Sequence, residues 1–102
     1  MKEKLLEIVR HYGLNKQLKY FQSEVFELNE AIIFNELKES VSYEIPITEI
    51  VDTREHITEE IADVLNLLSQ FVIYYELNED KIYEIAEYKI KRQLERIKNE
   101  IL

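Results

Sequence analysis

A chain of 102 residues fits one domain with a modest core, and its 46% hydrophobic and 33% charged residues exclude a wholly disordered polymer. One glycine, one proline and no cysteine exclude collagen-like sequence, GxGxxG and Walker phosphate loops, disulfides, thiolate zinc sites and thiol nucleophiles, and leave little material for an all-β fold. Against 13 Lys and Arg stand 21 Asp and Glu, a formal charge of −8 that repels nucleic-acid backbone and attracts cations, so no nucleic-acid partner is expected.

From Lys2 to Tyr12, Leu5, Leu6, Ile8 and Val9 alternate with charges at helical spacing, which predicts an amphipathic helix stopped at Gly13. This start has no signal-peptide pattern, and with the lack of cysteine it fits a cytoplasmic protein. Asn15 is placed to cap a second helix ending near Leu37, with the apolar spine Leu18, Phe21, Val25, Leu28 and Ile32. From Ser40 to Val51 the period breaks around Pro46, predicting a loop with short extended pieces. Asp52 or Thr53 then opens a third helix reaching Glu76, and Asn78 caps a fourth from Glu79 to the C-terminus.

With no repeat or linker, residues 1–102 read as a single all-α domain, an antiparallel bundle of four helices. The third helix is apolar around nearly its whole circumference between Ile61 and Tyr75. Asp63, Asn66, Ser69 and Gln70 interrupt it, so no membrane span is expected. A helix apolar all round must be buried all round, which one small chain can hardly achieve. Completion by a second copy, as a two-fold dimer, is therefore expected.

Acidic pairs three residues apart are weak signals singly, since this composition supplies about four by chance. Glu36/Glu39, Glu76/Glu79 and Glu84/Glu87 read as solvated faces. Two other pairs differ by position. At about 100° per residue, Gln17, Glu24 and Ala31 form a stripe beside the apolar spine, with Glu27 next to it, whereas Ser23 and Glu30 point away. Glu60 and Asp63 flank the Ile57–Ile61–Val64–Leu68 spine in the same manner, and Asp63 has the least exposed surface around it. A buried carboxylate must be protonated, paired with a cation or bound to a metal. Packed together, the two helices make either a buried ion-pair network or a four-carboxylate cage of the kind that Mg²⁺ or Mn²⁺ prefers.

In the fourth helix Lys89, Gln93 and Arg96 continue the Ile82–Ala86 face, with Arg92 to one side. That basic stripe either cancels the buried acids or grips phosphate. His11 and His56 read as isolated, with no chemistry assigned, and no serine-type triad is visible.

The order Glu24-Val-Phe-Glu27-Leu, then Glu60-Ile-Ala-Asp63-Val-Leu, resembles the ExxE…ExxD signature of the MazG-like all-α nucleoside triphosphate pyrophosphohydrolases. Tyr12-Gly13, Gln17 and Leu28-x-x-Ala31-Ile32 look like the opening segment of short, often phage-type, members. Lys89-x-x-Arg92-Gln93-x-x-Arg96 is similar to their closing basic helix, so the likeness runs from residue 12 to residue 97. The resemblance implies an all-α dimer or dimer of dimers that hydrolyses an NTP or dNTP to the monophosphate and pyrophosphate, a nucleotide-pool housekeeping activity. By the same resemblance Glu24, Glu27, Glu60 and Asp63 hold Mg²⁺, or Mn²⁺ in its place, and form the catalytic set. Lys89 and Arg96 contact phosphates, Arg92 and Gln93 assist, and Gln17 lies near the base or sugar.

The chain departs from the pattern at three places. Ser23 stands where many members have a glutamate, Gln93 replaces the usual asparagine, and Arg96 is followed by Ile97 instead of Tyr-Pro. Ser23 and Gln93 favour an alternative, a helical assembly or regulatory module of the same fold without turnover. A further alternative is an enzyme like phosphoribosyl-ATP pyrophosphatase, which shares the paired-acid helices.

Overall fold

A computed structural model of the chain describes residues 1–41 and 47–101. Four helices account for nearly all of them, α1 (Lys2–Tyr12), α2 (Leu14–Ser40), α3 (Ile47–Tyr74) and α4 (Glu79–Ile101), and no strand occurs among the described residues. The fold is all-α, as the helical period predicts.

Gly13 alone separates α1 from α2. Its φ of 87° and ψ of 149° lie in a region that glycine occupies almost exclusively. Its N–H closes the last turn of α1 on the Val9 carbonyl at 2.9 Å, and its own carbonyl accepts the Gln17 N–H at 3.1 Å, the first turn of α2. Gly13 therefore holds the N-cap position expected of Asn15, which sits inside the helix. At the other end α2 runs past Leu37 to Ser40, whose hydroxyl donates to the Leu37 carbonyl at 2.7 Å.

The break expected from Ser40 to Val51 is shorter than that. Residues 42–46, including Pro46, lie outside the described residues, but α3 begins at Ile47, not at Asp52 or Thr53. Contacts with α2 override the β-branched propensity of that segment. The Lys38 ammonium lies 3.4 Å from a Glu49 carboxylate oxygen, and the Arg54 guanidinium donates to Glu39, with Nε at 2.7 Å. Thr53 is interior to α3 and buried, its hydroxyl donating to Asn35 Oδ1 at 2.6 Å.

α3 ends two residues before the expected Glu76, in a turn with Glu76 at φ 53°. There the Glu76 N–H bonds to the Ile73 carbonyl and the Leu77 N–H to the Val72 carbonyl, the paired bonds of a Schellman motif. Asn78 then caps α4 as predicted, its Oδ1 accepting the Lys81 N–H at 3.0 Å.

α2 and α3 pair antiparallel, since Gln17 meets Gln70, Phe21 stacks edge-on against Phe71, and Asn35 meets Thr53. The buried line along this hairpin is polar. On α2 it is Gln17, Ala31 and Asn35, with Glu24 half-buried between them; on α3 it is Thr53, Glu60, Leu67 and Gln70. Intervals of seven residues (17, 24, 31 and 53, 60, 67) keep these side chains on one line of each helix. The expected apolar spines lie beside it and are only partly covered. Of the expected spines Phe21, Leu28, Ile57 and Val64 are half-buried, whereas Leu18, Val25 and Ile32 on α2 and Ile61 and Leu68 on α3 are exposed, as is the neighbouring Leu65 at 59%. Within one chain, then, α3 is not buried on all sides.

α1 packs mainly on α3, where Val9 is fully buried. α4 contributes no substantial packing to the other helices, and every residue described from 79 to 100 is exposed. The radius of gyration is 17.9 Å, against about 13 Å for a compact chain of this length. The accessible surface is 8559 Å², about 2,400 Å² more than a folded monomer of this size ordinarily shows. No helix among the described residues is long and apolar enough to cross a membrane.

Candidate metal centre

Midway along the hairpin the polar line becomes acidic. One carboxylate oxygen from each of Glu24, Glu60 and Asp63 lies within 4.8 Å of the other two. The helical spacing that suggested a shared site thus brings three of the four predicted acids together from two helices. Glu60 is the buried member at 8% exposure, Glu24 is half-buried, and Asp63 is exposed, so the expectation that Asp63 is the most enclosed is corrected. The reason is that α3 offers its polar line, more than its apolar spine, to α2.

Glu24 Oε2 and Glu60 Oε2 are buried without a hydrogen-bond partner, a costly state for a carboxylate unless a proton or cation satisfies it. Correspondingly the Glu24 carboxyl is pushed up from 4.5 to about 7. Burial is the largest cause, followed by the negative charges of Glu27 and Asp63, then by Glu60 as hydrogen-bond partner and charge. Glu27 therefore acts on the cluster electrostatically while standing outside the tight group of three. It lines an adjoining groove of about 710 Å³ with Glu30, Ala31, Ile33, Phe34, Leu37, His56 and Glu60.

His56 is the residue that sequence reasoning missed. Its Nε2 lies 3.8 Å from Glu60 and its Nδ1 4.0 Å from Glu59, so it is not isolated. The available signal was its place one helical turn before Glu60.

Gln17 is buried at 4%, and its Nε2 donates to Gln70 Oε1 at 2.7 Å; Gln70 Nε2 in turn donates to Asn66 Oδ1 at 2.9 Å. Its own Oε1 is buried without a partner. The other predicted ligand-binding residues are not brought to the acids within one chain. Lys89, Arg92, Gln93 and Arg96 all lie exposed on α4, and none of the three cations makes an ion pair among the described residues. Arg92 instead lies 5.9 Å from the Tyr88 ring centre. Of the acid pairs read as solvated, Glu84 pairs with Lys81 and Glu87 with Lys91 at the surface, whereas Glu39 is half-buried and pairs with Arg54 of α3.

Three carboxylates from two rigid helices, two of them with buried and unpartnered oxygens, fit a hard divalent cation with oxygen ligands. Compared with protein-family models, with curated proteins and with solved structures, the chain gives no match.

Proposed function

We propose that the protein is a Mg²⁺-dependent nucleoside triphosphate pyrophosphohydrolase that works as a homodimer. The observation that carries this reading is the convergence of Glu24, Glu60 and Asp63, with buried oxygens of Glu24 and Glu60 unsatisfied by the protein itself. The resemblance to MazG-like enzymes then supplies the reaction.

Glu24, Glu60 and Asp63 would hold the cation, and Glu27, one turn from Glu24, adds negative charge beside it. Bound Mg²⁺ supplies neutralisation of a triphosphate and a water of lowered pKa. The neighbouring groove offers Ile33, Phe34 and Leu37 as an apolar wall and His56 as a polar contact, in the size range of small-molecule sites. Lys89 and Arg96 stabilise the departing pyrophosphate, with Arg92 and Gln93 beside them. Because α4 stands clear of the acids in one chain, the assembled dimer has to bring a basic helix to the site.

The same separation favours a second reading, a non-catalytic helical module that keeps the cation site. Pyrophosphate release from a panel of NTPs and dNTPs, with and without Mg²⁺, distinguishes them. The enzyme reading expects metal-dependent release that Glu60→Gln or Asp63→Asn reduces at least a hundredfold. Folded protein that binds Mg²⁺ yet releases no pyrophosphate from any nucleotide would leave the module reading.

A further inference from the structure

α4 is amphipathic and largely uncovered: only at its start do Glu79, Ile82 and Tyr83 line a cavity of about 420 Å³ with Leu5 of α1 and Leu65, Leu68 and Val72 of α3. At about 100° per residue Tyr83, Ile90, Leu94 and Ile97 share one stripe, and each is at least half exposed. Its charge is also segregated. Residues 79–88 hold Glu79, Asp80, Glu84 and Glu87 against Lys81, a net −3. Residues 89–98 hold Lys89, Lys91, Arg92, Arg96 and Lys98 against Glu95, a net +4. Residues 1–78, by contrast, carry the chain's whole net charge of −8.

We propose that α4 docks antiparallel on α4 of a second copy, about a two-fold axis near Ile90. In that arrangement Tyr83 of each copy faces Ile97 of the other, so the apolar stripes cover each other. By helical spacing Asp80, Glu84 and Glu87 lie on one side of the stripe together with Lys91 and Lys98. Antiparallel pairing sets those acids beside Lys98 and Lys91 of the second copy, whereas a parallel pair turns them toward Ile82 and Ile85 on the opposite side of the partner's stripe and sets Lys91 and Lys98 near Lys89 and Arg96. Lys89, Arg92 and Arg96 lie on the other side of the stripe and stay clear of the seam. This interface does not depend on the catalytic reading.

The chain has no cysteine, so single engineered thiols report contacts without background. Ile90→Cys, Tyr83→Cys, Ile97→Cys and the outward Tyr88→Cys would be oxidised as full-length proteins, alone and as co-expressed pairs. Antiparallel docking predicts efficient self-linkage for Ile90→Cys and linkage of Tyr83→Cys to Ile97→Cys only when mixed, with none for Tyr88→Cys. Self-linkage of both Tyr83→Cys and Ile97→Cys would show a parallel pair. A dimer in which none of these thiols link would place the contact on another face, and a monomer at micromolar concentration would remove it; each of those results overturns the proposal. As an independent reading, Leu94→Asp is expected to weaken dimerisation at least tenfold, while above the concentration at which that variant associates the far-ultraviolet circular dichroism is as helical as that of the unmutated protein.

Discussion

With its carboxyl pushed up to about 7, Glu24 retains a proton in the folded chain at pH values where an ordinary carboxyl has lost it. Between 4.5 and about 7 the folded state binds more protons than the unfolded state, so the Glu24 contribution to stability falls as pH rises through that window. In metal-free protein, thermal melts from about pH 5 to about pH 8 should show a downward slope that Glu24→Gln flattens. Saturating Mg²⁺ should remove the same slope in the unmutated protein, because a cation satisfies the oxygens that the proton otherwise does. An equal slope in Glu24→Gln would locate the effect elsewhere. A second outcome concerns Gln17 and Gln70. Gln70→Leu strips Gln17 of its buried acceptor and should cost about 1–3 kcal/mol in urea melts, whereas Gln17→Leu with Gln70→Leu should recover much of that loss. At this scale the acids were legible, since the spacing of Glu24, Glu60 and Asp63 fixes their faces before any packing is known. His56 was not, because a lone histidine one turn from a glutamate is common on any solvated helix.

The helices themselves were legible where a single residue decides the boundary. Gly13 ends α1, and Asn78 starts α4, through bonds that only those side chains or that backbone freedom provide. Gly13→Ala tests the first. No atom obstructs a Cβ there, so the expected loss of about 1–3 kcal/mol, read as a lowered melting midpoint, comes wholly from the disfavoured backbone angles. The start of α3 was illegible for the opposite reason, since the helical state of the segment around Thr48 and Glu49 depends on α2. The face assignments shifted as well. Sevenfold spacing placed Gln17, Glu24 and Ala31 on one line, but hydrophobicity pointed to the neighbouring spine as the core, and the hairpin buries the polar line most deeply while it half-buries Phe21, Leu28, Ile57 and Val64.

For the molecule as a whole, apolar surface remains uncovered among the described residues on both flanks of α2 (Leu18, Val25 and Ile32; Phe26, Ile33 and Leu37), on α3 (Ile61, Leu65 and Leu68) and along the α4 stripe. Among the described residues only Val9, Ala31 and Leu67 are buried apolar side chains, a core too small to offset the conformational entropy of ordering so long a chain. Folding and association should therefore be one process. The melting midpoint is expected to rise with protein concentration, and sedimentation should find a dimer or larger assembly at micromolar concentration. A concentration-independent melt of a well-folded monomer would contradict this.

The turn at Glu76 gives that assembly an unusual dependence on a single backbone angle. α4 has 23 residues and is about 34 Å long, and it leaves the body through a connection of four residues that includes one left-handed position. A rotation of about 20° at that point carries the far end of α4 through about 12 Å, more than the distance between two packed helices. The leverage runs from the turn outward, so until a partner packs against α4 residues such as Arg96 and Ile97 have their positions set by Glu76.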